Sequence, residues 1–200
     1  MFECNACMSM NVLVVDNYDS FTFNLTQLIE ECGSVCDVVK NDQLHFNSLD
    51  RYQKILISPG PGIPSEAGDV CNLIREFSGR KSILGICLGH QAIGETFGAR
   101  LIQLPGPAHG VKKSMSITEK SNYLFDGLPD EIDGGLYHSW SVSQEGFPAC
   151  LKVTAKSNDG IIMALSHREC DVHGVQFHPE SVMTTHGRAI LLNWLSHPTQ

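Results

Sequence analysis

Three features of this 200-residue chain predict an α/β fold: an open, mostly parallel, twisted sheet with helices on both faces and antiparallel edge strands. Up to Gly98, short apolar runs alternate with amphipathic stretches, the rhythm of a doubly wound parallel sheet. Beyond Gly98 the segments are short and turn-bounded, which predicts antiparallel or mixed additions to the sheet edge. Between them, Ile83-Leu-Gly-Ile-Cys-Leu-Gly89 is an apolar run that stops at a cysteine with a glycine two residues to either side, the pattern of a sharp strand-to-helix turn.

Taken in order, Asn11–Val15 is a short apolar strand. Ser20–Glu31 reads as a helix capped by Asp19 or Ser20 and stopped at Gly33. Val35–Val39 and Lys54–Ser58 are strands with an irregular stretch between them. A helix is expected from Ser65 or Glu66 to Phe77, followed by the strand Ser82–Ile86 and a helix continuing through Gln91–Phe97. Met115–Thr118, Gly135–His138, Leu151–Ala155, Ile161–Ser166 and Val172–Gln176 are the expected edge strands. His186–Leu195 closes the chain as an amphipathic helix, with Ile190, Leu191, Trp194 and Leu195 facing the core. Residues 1–9 read as an N-terminal extension and 10–197 as a single domain, without internal repeats or low-complexity segments.

Composition narrows the function. Hydrophobic residues make up 42%, enough for one substantial core. A net charge of −8 gives no electrostatic footprint for nucleic acid or an anionic membrane. No apolar run approaches the ~20 residues that span a bilayer. The opening Met1-Phe-Glu-Cys-Asn-Ala-Cys-Met lacks the basic start of a signal peptide, so a cytoplasmic protein with its eight cysteines reduced is expected. Cys4-x-x-Cys7 has metal-ligand spacing but no second pair, so no metal site is expected.

Chemistry concentrates in three motifs. Gly85-x-Cys87-x-Gly89 is the cysteine form of the nucleophile elbow, where glycines are needed because strand and helix approach too closely for a Cβ. At the start of the following helix, free N–H groups and the helix dipole favour a thiolate. Val175-Gln-Phe-His-Pro-Glu180 is the second motif. Pro179 pushes His178 into an extended conformation and, with its own φ fixed, keeps the chain extended, so that His178 and Glu180 share one face. The carboxylate would then orient the imidazole of a Cys–His–acid set for acyl transfer. Third, Ser58-Pro-Gly-Pro-Gly62 follows an apolar strand, so it lies where open α/β sheets place their sites. Its prolines stiffen the loop, and Gly60 and Gly62 let backbone N–H groups approach a ligand or an oxyanion.

Together, Cys87, His178 and Glu180, with Gly60-Pro61-Gly62 and Gly85-Ile-Cys-Leu-Gly-His-Gln91, resemble the class I (triad-type) glutamine amidotransferases. Asp16-Asn-Tyr-Asp-Ser-Phe-Thr-Phe-Asn24, Tyr137-His-Ser139 and His178-Pro-Glu-Ser181 resemble one branch of that family, the glutaminase components of anthranilate synthase and aminodeoxychorismate synthase. The resemblance runs from about Met10 to Leu195. It implies a flavodoxin-like sheet and a cofactor-free reaction in which Cys87 attacks the side-chain amide of glutamine. His178 protonates the departing ammonia, and water then releases glutamate from the thioester. Leu88 and Gly60 or its neighbour are expected to supply oxyanion N–H groups. Gln91 and the backbone of Ser139 and Trp140 are expected to hold the amino-acid end of the substrate, although the family usually has an aliphatic residue where Trp140 stands.

The resemblance further implies a larger chorismate-binding synthase partner, because no residue here suits chorismate or a metal. Anthranilate, and so tryptophan synthesis, is the first expectation; the alternative is aminodeoxychorismate (folate) synthesis, or one glutaminase shared by both. His109-Gly110 resembles part of a family His-Gly-Lys segment in which Val111 intervenes, and a partner contact is expected there. A cysteine peptidase and a non-catalytic binding protein are the rival readings. The glutamine-pocket motifs argue against the first and the intact Cys–His–Glu set against the second. His90, adjacent to the elbow on the helix, is expected to pack, and His138 to rank below Ser139 as a cleft residue.

Overall fold

The computed structural model describes residues 11–199, so the N-terminal extension and its Cys4-x-x-Cys7 lie outside the described residues. The first half follows the expected rhythm. Strand β1 (Asn11–Asp16), helix α1 (Thr22–Glu31), strand β2 (Val35–Lys40), strand β3 (Lys54–Ile57), helix α2 (Val70–Phe77), strand β4 (Ser82–Ile86) and helix α3 (Leu88–Thr96) succeed one another. The second half holds β5 (Leu101–Ile117), β6 (Glu131–Val142), β7 (Leu151–Ser157), β8 (Ile162–His167), β9 (Val172–Val175) and helix α4 (Gly187–Ser196). The nine strands form one sheet in the order β2-β1-β3-β4-β9-β8-β7-β5-β6. Pairing is parallel from β2 through β9 and antiparallel from there to β6.

Alternation along the central strands divides the core between the two faces of the sheet. Val12, Val14, Leu56 and Leu84 pack with Leu25 and Ile29 of α1 and with Ile190, Leu191 and Trp194 of α4. Leu13, Val15, Ile55 and Ile57 pack with Leu73, Ile74 and Phe77 of α2 and with Ala92 and Ile93 of α3. Each fully buried Leu, Ile or Val contributes about 1.5–3 kcal/mol, which is why strands buried on both faces read as continuous apolar runs. Lys54, at the start of β3, is one polar exception. It is fully buried, and its ammonium donates to the carbonyls of Trp194 and His197 at 2.8 Å each, closing the last turn of α4.

Four expectations change. The first helix starts at Thr22, not Ser20, because the Asp19 carboxylate turns back to accept from the Phe21 N–H at 2.8 Å. Residues 65–77 are not one helix: a 3-10 turn at Pro64–Glu66 precedes α2, and Gly68 (φ +55°) lies between them. A Cβ at Gly68 would meet the Asn41 carbonyl oxygen at 2.8 Å, and the Asp69 N–H donates to that same oxygen. The strand expected at 115–118 begins at Leu101. It was concealed by Leu104-Pro-Gly-Pro107, where the register to β6 shifts between Gln103 and Ala108, and by a second irregularity around Gly110. Lastly, β9 is not an edge addition. It pairs parallel with β4 and antiparallel with β8, at the junction of the two halves of the sheet.

Among the described residues no helix is long and apolar enough to cross a membrane.

Candidate active site

At the carboxyl end of β4 the chain turns abruptly into α3, and Cys87 occupies the turn with φ +52° and ψ −98°. A non-glycine residue at positive φ is costly and persists only where its surroundings over-determine it. Here the surroundings do so. The Cys87 N–H donates to the Val175 carbonyl at 2.9 Å, and the Cys87 carbonyl accepts from the Gln91 N–H at 3.1 Å. A Cβ at Gly85 would lie 2.4 Å from the Gly89 carbonyl oxygen, and one at Gly89 would lie 2.6 Å from that of Ile57. Both glycines are therefore required by close backbone approach, as the elbow motif implies.

Beyond β9 the chain delivers His178 to the same region. Its N–H donates to the Gly135 carbonyl at 3.0 Å, and its carbonyl accepts from the Thr184 hydroxyl at 2.5 Å. The Ser181 N–H donates to that carbonyl as well, at 3.1 Å, so residues 178–181 form a turn with proline in its second position. The expected extended His-Pro-Glu segment is thus replaced by a tight turn, which still brings His178 Nδ1 to 2.7 Å from Glu180 Oε1. The imidazole is 2% exposed and the carboxylate wholly buried. The rings of Tyr137 and Phe21 wall the imidazole edge-on, at centroid distances of 4.9 and 5.4 Å.

Burial disfavours a charged His178, but the Cys87 sulfur and the Glu180 carboxylate both favour one, and together they push its pKa up to about 10. Its Nε2 is buried without a well-aligned partner. A strained cysteine, an imidazole that senses its sulfur and a carboxylate orienting that imidazole are the components of nucleophilic acyl transfer.

A cavity of about 290 Å³ opens onto Cys87 and is lined by Gly60, Pro61, Gly62 and Gln91 together with His109, Tyr137, His138, Ser139 and Trp140. Its size is at the small end for ligand pockets, suited to an amino acid. Six of the seven expected substrate-binding residues therefore meet Cys87 in one cavity. Leu88, the seventh, lines the neighbouring cavity with Asn17 and Pro61, and its side chain packs where a Cβ on Gly60 would fall. Asn17 braces the glycine loop by donating its amide to the Ser58 carbonyl at 2.8 Å. The Asp16–Asn24 signature thus contributes to shaping the site as well as starting a helix.

His90 packs as expected. It is fully buried beneath Gly174, and burial pushes its pKa down to about 3. Among the described residues, no group of His, Cys, Asp and Glu side chains is arranged to hold a metal ion. Sequence reasoning missed Gln176, which is fully buried with its amide 3.6 Å from the Cys87 sulfur. The one signal for it was a lone polar residue in an apolar run, two positions before His178. His109 and Tyr137 were missed as cavity walls, because only the bulged pairing of β5 with β6 brings them there.

Residues 13–197 match the family model for glutamine amidotransferase class-I. The chain is similar to aminodeoxychorismate synthase component 2 of Escherichia coli, with 44% identity covering 92% of this chain and 98% of that one. It is 41% identical to anthranilate synthase component 2 of Mycobacterium tuberculosis, covering 94% of this chain and 82% of the relative. Among solved structures, a candidate GMP synthase component from Thermoplasma acidophilum superposes with a TM-score of 0.84 at 29% identity, covering 94% and 92% of the two chains. The strained elbow, the buried imidazole–carboxylate pair and the small cavity they open on are thus accompanied by likeness over nearly the whole chain, and the protein belongs to the class-I glutamine amidotransferases.

Proposed function

We propose that Cys87, His178 and Glu180 hydrolyse glutamine through a glutamyl thioester and that the released ammonia passes to a larger chorismate-binding synthase partner. The observation that carries this reading is the strained Cys87 opening on the same cavity as Gln91, Ser139 and Trp140, next to a buried imidazole oriented by a carboxylate. The sulfur adds to the amide carbonyl, and the charge that develops on oxygen is held by backbone N–H groups of Leu88 and the Gly60 loop. The His178 imidazolium gives its proton to the nitrogen as the carbon–nitrogen bond breaks, leaving the thioester and neutral ammonia. The imidazole then takes a proton from water, the hydroxide attacks the thioester, and glutamate departs as Cys87 is regenerated. Glu180 supports the imidazolium in both halves.

Ammonia is useful as a nucleophile only while neutral and shielded from bulk water, so a glutaminase of this kind works docked to the enzyme that consumes its product. Anthranilate synthase in the cytoplasm is the first assignment, and aminodeoxychorismate synthase, or service to both, the alternative. The names of the relatives support both assignments.

Cys87→Ser in the complex with the co-purified synthase is the test. Glutamine-dependent product formation is expected to vanish while synthesis from added ammonium salt survives. Loss of both would make Cys87 structural and overturn the reading. Anthranilate or aminodeoxychorismate as the product made with that synthase decides between the pathways.

A further inference from the structure

Gln176 lies immediately beyond β9, in a position no catalytic assignment uses, and its carboxamide is fully buried between two groups of the site. Nε2 donates to the Cys87 sulfur at 3.6 Å, and Oε1 accepts from Gln91 Nε2 at 3.2 Å. Gln91 Nε2 also donates to the Trp140 carbonyl at 2.8 Å. These three contacts fix the orientation of both amides. A backbone carbonyl only accepts, so the Gln91 atom facing Trp140 is its NH2 group. The Gln176 atom facing that NH2 must then be oxygen, which leaves the Gln176 NH2 group directed at sulfur.

We propose that Gln176 is a positioning residue that holds the sulfur of Cys87 with an N–H donor and couples it, through Gln91, to the wall of the glutamine cavity. A thiolate accepts such a bond far better than a thiol, because a donor to an ionised acceptor is roughly twice as strong as one to a neutral group. The donor therefore favours the reactive form and aims it. Both N–H groups of Gln91 are committed to protein acceptors, so only its Oε1 remains for substrate. A ligand donor there, such as the ammonium of an amino acid, draws electron density from the Gln91 amide. Its bond to Gln176 is thereby strengthened, and so is the bond from Gln176 to sulfur. The chain of amides is a route by which an occupied cavity readies the nucleophile.

This inference rests on Cys87 as nucleophile, and the two fail separately: Cys87→Ser tests the nucleophile, whereas the pH dependence of Cys87 alkylation tests Gln176. With iodoacetamide and no glutamine, Gln176→Leu is expected to raise the midpoint of Cys87 alkylation by about one pH unit, the size set by losing one charge-assisted donor. The variant's kcat should fall about tenfold while KM for glutamine changes by less than about threefold. Gln176→Glu keeps the shape and the acceptor for Gln91 but turns an oxygen toward sulfur, so its midpoint should rise further. Glu also provides the readout if the Leu variant fails to fold. An unshifted midpoint in either folded variant would overturn the proposal, since a merely structural role lowers stability without moving the titration of the sulfur.

Discussion

Replacing Glu180 by Gln isolates the part of His178 chemistry that depends on a buried charge. The side chains are the same size, and Glu180 Oε2, the oxygen that an amide nitrogen would replace, has no partner to lose. The hydrogen bond from His178 Nδ1 to Oε1, 2.7 Å long, can persist with a neutral acceptor. A bond involving a charged partner contributes about 1.5–3 kcal/mol and a neutral one about 0.5–1.5 kcal/mol, so the exchange removes about 1–1.5 kcal/mol of preference for the imidazolium. At 1.36 kcal/mol per unit this is about one pKa unit. The His178 pKa of about 10 should therefore drop by about that much, with the sulfur still holding it above its ordinary value near 6.5.

The sign of the stability effect follows from the raised pKa. A group that binds its proton more tightly when folded stabilises the fold fully below its ordinary value, and the contribution is lost as pH rises toward the folded value. The stability difference between the parent protein and Glu180→Gln should therefore shrink between pH 7 and pH 10. In the glutaminase assay, the alkaline limb of the kcat/KM profile should move down by about one pH unit, because in the proposed reaction the imidazolium is the acid that protonates the departing nitrogen. The measurement is a pH–rate profile of both proteins with folding checked at each pH. A folded variant whose alkaline limb coincides with that of the parent would refute the claim that Glu180 sets the proton affinity of His178.

Two further substitutions probe the frame that holds the site. Gly89→Ala drives a methyl to 2.6 Å from the Ile57 carbonyl oxygen, a backbone atom that cannot rotate away, so α3 must shift. The cost should be about 1–3 kcal/mol in urea unfolding, accompanied by loss of glutamine turnover, and an unchanged urea midpoint with full activity would contradict the tight elbow. Lys54→Met strips the Trp194 and His197 carbonyls of their donor at the end of the sheet opposite Cys87. It should destabilise by about 1–3 kcal/mol while leaving glutamine turnover at 25 °C unaltered, as read by thermal melting beside the activity assay.

The parallel half of the fold, the elbow at Cys87 and the pairing of His178 with Glu180 were legible because local rules produce them. A strand buried on both faces must read as an apolar run, and an elbow must carry glycines where two backbones touch. Gly85, Cys87 and Gly89 satisfy that requirement within five residues. His178 and Glu180 were correctly paired for an incorrect reason, since the segment is a turn. Proline fixes its own φ but leaves ψ free, and ψ decides between turn and strand. The Leu101–Ser114 stretch of β5 was invisible because prolines and a bulge erase the alternation that marks a strand, and pairing with β6 outweighs that local preference.

The alternation of apolar runs, the glycine spacing and the side-chain types at Cys87, His178 and Glu180 were thus determined by the order of residues alone. Their assembly was not. The isolated bridge from His178 to Gly135 joins segments 43 residues apart in sequence (178 − 135), and the Gln91–Gln176–Cys87 chain spans separations of 85 and 89. Such contacts arise only when β9 enters the sheet beside β4. No local signal encodes them, because each partner satisfies its hydrogen bonds only after the rest of the sheet has formed.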